Sequence, residues 1–197
     1  MVEQRSRQVS RINRFFKNKN GSVTIEFFFM VLILGIIFAF MADLVMLRST
    51  LGKLDSASFS LVNVLRERTQ LYGGSADLNR TRDLNQFEQL AKLALFGDKN
   101  STQKVDVVLE YWRQDVNGRD QVQTESTSPT CSPYQPISQF RDLSPFSEVE
   151  NRERKVPMYQ VTLCVDTRAS LFKALVLNDE TKTDLGMIRS STVALSR

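Results

Sequence analysis

The chain has 197 residues, 26 Lys and Arg against 22 Asp and Glu, a formal charge of +4 and no histidine. That length suits one domain and little more, and the missing imidazoles exclude histidine triads, histidine general bases and every histidine-containing zinc site. Two cysteines cannot build a four-thiolate zinc site either, so composition argues against an enzyme and supplies no catalytic, metal or cofactor-binding residues.

The charge is segregated. Within residues 1–21, Arg5, Arg7, Arg11, Arg14, Lys17 and Lys19 stand against a single acid, Glu3, and the rest of the chain is close to neutral. A nucleic-acid reader wants its basic residues on a folded face among polar base-readers. Here they precede an apolar run, which points to membrane topology and away from nucleic acid.

That run is Val23 to Ala42. At ~1.5 Å per residue it reaches ~30 Å, the thickness of a hydrocarbon core. Asp43 and Arg48 close it on the far side. The positive-inside rule then keeps the N-terminus in the cytoplasm and sends residues 43–197 across.

Glu26 stands inside the run. One reading is a boundary acid at the headgroups. The other is a carboxylate with a cationic partner, because a charge inside a membrane usually faces protein or water. Directly before it stands Gly21-Ser22-Val23-Thr24-Ile25-Glu26-Phe27. A basic leader, a glycine, a glutamate five residues on, an aromatic next to it and a long apolar helix together resemble the class III signal of type IV pilins and pseudopilins. The resemblance implies that a membrane prepilin peptidase cuts between Gly21 and Ser22. It also implies that Glu26, with Phe27 beside it, pairs with the new amine of a neighbouring subunit during assembly.

Two other readings compete for this segment. A cleaved secretory signal wants a shorter apolar core and an A-x-A-like site, and the nearest, Ala39-Phe40-Met41-Ala42, carries bulky Phe40 in the wrong place. An uncleaved signal-anchor fits the composition as well. In that alternative the chain is a single-pass envelope protein whose head binds a ligand or partner, and only the Gly21/Glu26 pairing separates the two.

The helical pattern continues past the membrane. Leu44, Leu47, Leu51, Leu54, Leu61 and Leu65 follow alternating three- and four-residue steps, with Ser58 filling the gap, until Gly73-Gly74. The outer half of such a helix packs on its own head, on other such helices in a filament core, or on both. Gly35 and Gly52 weaken it internally.

Residues 73–197 read as a small extracytoplasmic α+β head, mostly antiparallel, with one or two short helices. Asp83 is placed to cap a helix Leu84–Phe96, with Gln86 at the capping-box position, Gly97 as the stop, and Leu84, Phe87, Ala91, Ala94 and Leu95 on its apolar face. Val105, Val107, Leu109 and Tyr111 alternate onto one face of a strand. Asn117-Gly118 predicts a type I′ turn into a strand Gln121–Ser126. Tyr159, Val161, Leu163 and Val165 mark another strand and Met187–Leu195 a last one, while Leu171–Leu177 fits either state.

All five prolines lie between Pro129 and Pro157, so that stretch is loop, and its run Asn151–Lys155 reads as a solvated face. Tyr111, Trp112 and Arg113 either form a binding surface or, for Trp112, pack inside. Cys131 lies in the loop and Cys164 in a strand, opposite in facing to Val161, Leu163 and Val165. Both are extracytoplasmic on this topology, where a disulfide persists. Two buried thiols are the other possibility.

The segments G-S-V-T-I-E-F-F-F, M-A-D-L-V-M-L-R-S-T and L-R-E-R-T-Q-L-Y narrow the resemblance to the TadE/TadF pseudopilins of the tight-adherence (Tad, Flp pilus, type IVb) system. It rests on residues 21–72. It implies a leader (1–21), a long helix (22–72) with its transmembrane part at 23–42, and a pilin-like head (73–197), often fastened by a disulfide. The implied partners are a TadV-like prepilin peptidase, TadE-like pseudopilins, the Flp major pilin and the inner-membrane assembly platform. The implied location is the bacterial inner membrane with a periplasmic head, passing to the pilus or exterior after assembly for adherence and biofilm formation. Too large to be the major Flp subunit, the chain would be a minor component.

Overall fold

A computed structural model describes residues 20–72, 78–115, 117–147, 154–166 and 187–196. Its elements are a long helix α1 (Asn20–Tyr72), a second helix α2 (Arg80–Phe96), strands β1 (Val105–Gln114) and β2 (Asp120–Ser126), a 3-10 turn (Ile137–Leu143), and strands β3 (Met158–Asp166) and β4 (Met187–Leu195). The class is α+β, a long N-terminal apolar helix followed by a four-stranded antiparallel sheet. The predicted segment Leu171–Leu177 and the leader residues 1–19 lie outside the described residues.

The chain divides into two compact units, Met1–Val45 and Met46–Arg197. In the first, the described part is helix alone. From Val23 to Ala42 its sequence is apolar on nearly every side, with no Pro and a single internal glycine, Gly35, so nothing interrupts the hydrogen-bond ladder.

In the second unit the sheet order is β2-β1-β3-β4, with every pairing antiparallel. Leu109 faces Val161 and Tyr111 faces Tyr159 across β1 and β3. Strand alternation puts Val105, Val107, Leu109, Tyr111, Tyr159, Val161 and Leu163 on one face, where α1 and α2 cover them. α1 contributes Leu54, Ala57, Leu61, Val62 and Leu65 to this core, and α2 contributes Leu84, Phe87 and Ala91. The outer half of α1 therefore packs on its own head. The gap in its leucine stripe has a partner as well: the Ser58 hydroxyl meets Ser190 at 3.0 Å and Thr192 at 2.7 Å on β4.

Helix α2 starts earlier than its sequence suggests. Asn79, not Asp83, is the N-cap, and its side chain accepts the Arg82 N–H. Asp83 reaches back to accept the Asn79 N–H at 2.6 Å and also pairs with Arg68 from α1. The acid thus closes a capping arrangement one turn into the helix rather than starting it. Gly97 ends the helix at φ 73°, as a left-handed C-terminal stop does. Ala94, expected on the covered face, is exposed.

The hairpin also differs in detail. The Asp115 N–H donates to Arg119 O, and the Gly118 N–H donates to Asp115 O. Asp115 Oδ1 accepts from both Asn117 and Arg119 N–H. This is a longer connection than a two-residue type I′ turn, with Gly118 in the left-handed region (φ 73°). The Asp115 side chain organises it as an Asx turn.

Candidate functional site

Two parts of the molecule carry functional candidates. The first is the start of α1. Gly21 and Ser22 lie in its first turn and Glu26 and Phe27 in its second, so Ser22 and Glu26 stand one turn apart on one helix face. Glu26 is exposed and has no basic partner among the described residues. The large apolar side chains around and after it, from Val23 through Phe27, Leu34 and Phe38 to Met41, are exposed too. A helix greasy on all sides and bare of its own protein is long and apolar enough to cross a membrane. The helix dipole fades within the first turn, so it offers little to a carboxylate at position 26.

The second is the sheet face turned away from the helices. Cys131 and Cys164 are disulfide-bonded there, with Cα atoms 5.9 Å apart. The bond fastens the proline-rich segment, residues 127–147, across the sheet as a strap. Arg189 on β4 donates to Ser132 O at 3.1 Å and to Ser132 Oγ at 3.2 Å, with its guanidinium 5.0 Å from the Tyr134 ring. Gln160 Nε2 donates to Gln135 O at 3.0 Å. Ile137 and Phe140 pack on Trp112 and Met158. The Lys155 backbone N–H donates to Gln114 Oε1, and its ammonium donates to Arg141 O at 2.8 Å, so Lys155, the end of the run Asn151–Lys155, is part of the strap's edge instead of a purely solvated face, while residues 151–153 lie outside the described residues.

Under the strap lies a buried acid, Glu110. Burial pushes its carboxyl above the ordinary value, against hydrogen bonds from the Ile137 N–H and the Thr124 hydroxyl. Its Oε2, the Oε1 of its register partner Gln160 and the Trp112 indole N–H make no hydrogen bond among the described residues. On the helix-covered face, burial opposes ionisation of Asp83, but the Asn79 N–H and the Arg68 and Arg82 guanidiniums outweigh it and hold the carboxyl below 3.8. Tyr159 stacks on Tyr111, ring centroids 4.8 Å apart, and its phenol is pushed up to about 12, chiefly by burial and then by Tyr111.

Tyr111 and Trp112 are both buried, on opposite faces of β1, so the three-residue binding surface suggested by their adjacency does not form. Glu110, Gln160 and Arg189 escaped the sequence reading. Their signal was faint: a second, mixed set of alternating residues on β1 and β3 (Val108, Glu110, Trp112; Met158, Gln160, Cys164) that a strap of unknown placement would cover. Among the described residues no three His, Cys, Asp or Glu side chains gather as metal ligands would.

The family model TadF (Putative tight adherence pilin protein F) matches residues 14–197. The chain belongs to the TadF family. The family is one of structural pilin proteins rather than of enzymes, and membership points to a component of the tight-adherence pilus system in contact with other proteins of that system. Among the described residues one helix is apolar and long enough to cross a membrane, compatible with single-pass anchoring of a TadF-family pilin. No curated protein and no solved structure matches the chain.

Proposed function

We propose that this chain is a minor pilin of the tight-adherence pilus, cut by a prepilin peptidase between Gly21 and Ser22 and carried into the fibre by its apolar helix. The observation that carries the reading is Glu26, an exposed carboxylate on an exposed apolar helix, one turn beyond Ser22 and with no basic partner among the described residues. Cleavage creates an ammonium at Ser22. An ammonium and a carboxylate are each costly in a membrane and tolerable only as a pair, so axially offset subunits gain by bringing Ser22 of one to Glu26 of the next. Phe27 and the apolar side chains after it then pack between neighbours.

The scissile bond suits this chemistry. A peptidase needs extended backbone, and the first four N–H groups of a helix have no intrahelical acceptor. Gly21 further lowers the cost of unwinding, by about 1 kcal/mol relative to Ala. The basic leader holds this end at the cytoplasmic face, so the head, residues 73–197, is periplasmic until assembly carries it outward. The partners are a TadV-like peptidase, TadE-like and Flp pilins and the inner-membrane platform, and the output is surface adherence.

The test is the intact mass and N-terminal sequence of the protein from membranes with and without the peptidase. A chain beginning at Ser22 only with the peptidase is the expected result; retention of residues 1–21 in both would make it a signal-anchored envelope protein. Gly21→Leu should block processing. Glu26→Ala should be processed normally yet fail to enter pili, and normal piliation by that variant would sink the pairing.

A further inference from the structure

Helix α2 is bracketed by two copies of one pattern, Asp-x-Asn-x-Thr: Asp77-Leu78-Asn79-Arg80-Thr81 and Asp98-Lys99-Asn100-Ser101-Thr102. An Asn two residues before a Thr is the N-glycosylation acceptor pattern and wants a surface loop. The preceding acid places a carboxylate two residues before the asparagine, where a cationic group of a transferase can hold it.

The structure separates the two copies. Asn79 is the N-cap of α2: its Oδ1 accepts the Arg82 N–H, its own N–H is bound by Asp83, and Thr81 is already helical. Presenting that amide to an enzyme means unwinding the helix start. Asn100 lies past the Gly97 stop, in the loop before β1, and Asp98, Lys99, Asn100 and Thr102 are all exposed. The Asn100 side-chain amide makes no hydrogen bond among the described residues. What holds the loop is an exposed Asx turn, Asn100 N–H to Asp98 Oδ1 at 2.9 Å, with Ser101 N–H to Asp98 O at 3.2 Å. Opening it frees the Asp98 carboxylate for the enzyme and disturbs no buried group.

We propose that Asn100, and not Asn79, is an acceptor for N-linked oligosaccharide. The donor class is a polyprenyl-pyrophosphate-linked oligosaccharide. The Asn100 amide nitrogen bonds to the anomeric carbon as the bond from that carbon to phosphate oxygen breaks. Polyprenyl pyrophosphate departs with the electron pair, and an enzyme carboxylate takes the amide proton. The inference rests on the periplasmic placement of the head proposed above.

The test expresses the full chain in a bacterial host that carries such a lipid-linked oligosaccharide and its transferase, and reads intact mass, the tryptic peptide Asn100–Lys104 and the redox state of Cys131 and Cys164 in the same sample. The expected result is one glycan on that peptide, lost in Asn100→Gln, Asp98→Ala and Thr102→Ala and kept in Asn79→Gln and Ser101→Ala. An oxidised head without glycan overturns the acceptor assignment while leaving the topology standing. A reduced, unmodified head overturns the topology and this inference with it. A glycan on Asn79 alone would refute the structural argument that distinguishes the two copies.

Discussion

The two faces of the head's sheet are held by different means. The helix-covered face is built from Leu54, Leu61, Leu65, Phe87, Leu109 and Leu163, all buried, and an ion pair, Arg68 with Asp83, ties α1 to α2 at the margin. The strap-covered face has a thinner apolar inventory, Trp112, Ile137 and Met158 with Val108 beside the cystine, and relies on a covalent bond and side-chain hydrogen bonds to an irregular segment. Regular elements satisfy their own backbone and can bring a purely apolar stripe. A strap cannot: its N–H and C=O groups need partners, and Glu110, Gln160 and Arg189 are the polar residues the sheet spends on them.

The contrast can be broken most forcefully at the cystine. Replacing Cys131 and Cys164 together with Ser should cost about 3–4 kcal/mol in the chain-entropy view of a loop closed across 33 positions. Trp112 is the only tryptophan and lies under the strap, so its fluorescence should redshift at lower urea than the far-ultraviolet circular dichroism signal falls. Coincident transitions would mean that the two faces are not separable.

Next comes the helix-covered face. Arg68→Met leaves the Asp83 carboxylate buried without its main cation, and should cost about 3 kcal/mol at neutral pH in urea unfolding of the full chain. There the two transitions should stay together, because both helices lose their anchor. A loss below about 1 kcal/mol would show that the Asn79 N–H and Arg82 sustain Asp83 without Arg68.

A subtler distinction is in pH. Asp83, held below its ordinary 3.8, contributes stability that is complete above that value and is lost as pH falls through its folded value. Glu110 does the opposite: with its carboxyl raised in the fold, stability declines as pH rises from 4.5 through the folded value, because the unfolded chain releases the proton first. The slope is bounded by one proton, about 1.4 kcal/mol per pH unit. Glu110→Gln should remove the decline while leaving the acid limb intact, and an unchanged profile above pH 4.5 would contradict the assignment. The groups facing Glu110 across the strap and neighbouring strands, Thr124, Gln160 and Ile137, do not titrate.

The smallest effect is on α1. A Cβ at Gly52 meets nothing within 4 Å, so Gly52→Ala should raise the urea midpoint by the equivalent of about 0.5–1 kcal/mol. Destabilisation would mean that another chain approaches there.

The helix-covered face was the more legible of the two in the sequence. Alternation at Val105, Val107, Leu109 and Tyr111 and the Leu54–Leu65 stripe report burial directly, because each has one period and one partner surface. Even the facing of Cys164 follows from the same alternation. Detail was lost wherever a residue works at long range. Asp83 looked like a helix cap because Arg68, fifteen positions earlier, does not announce itself as its partner. Asn117-Gly118 looked like a tight turn because the competing signal, the Asp115 side chain, acts two and four residues on. Glu110 was illegible because its environment depends on where the strap crosses. At the start of α1 the pattern of Gly21, Ser22, Glu26 and Phe27 could be seen, while the work proposed for it lies between chains.

The burial of α1 from Leu54 to Leu65 has a mechanical consequence. Tension entering the head at Met46 along this helix meets side chains interlocked with β1, β3 and β4 along its flank, pinned by Ser58 against Ser190 and Thr192. Such a load acts in shear, so the contacts must fail together rather than peel in sequence. The stretch of α1 from Leu54 to Leu65 is therefore a shaft keyed into the sheet.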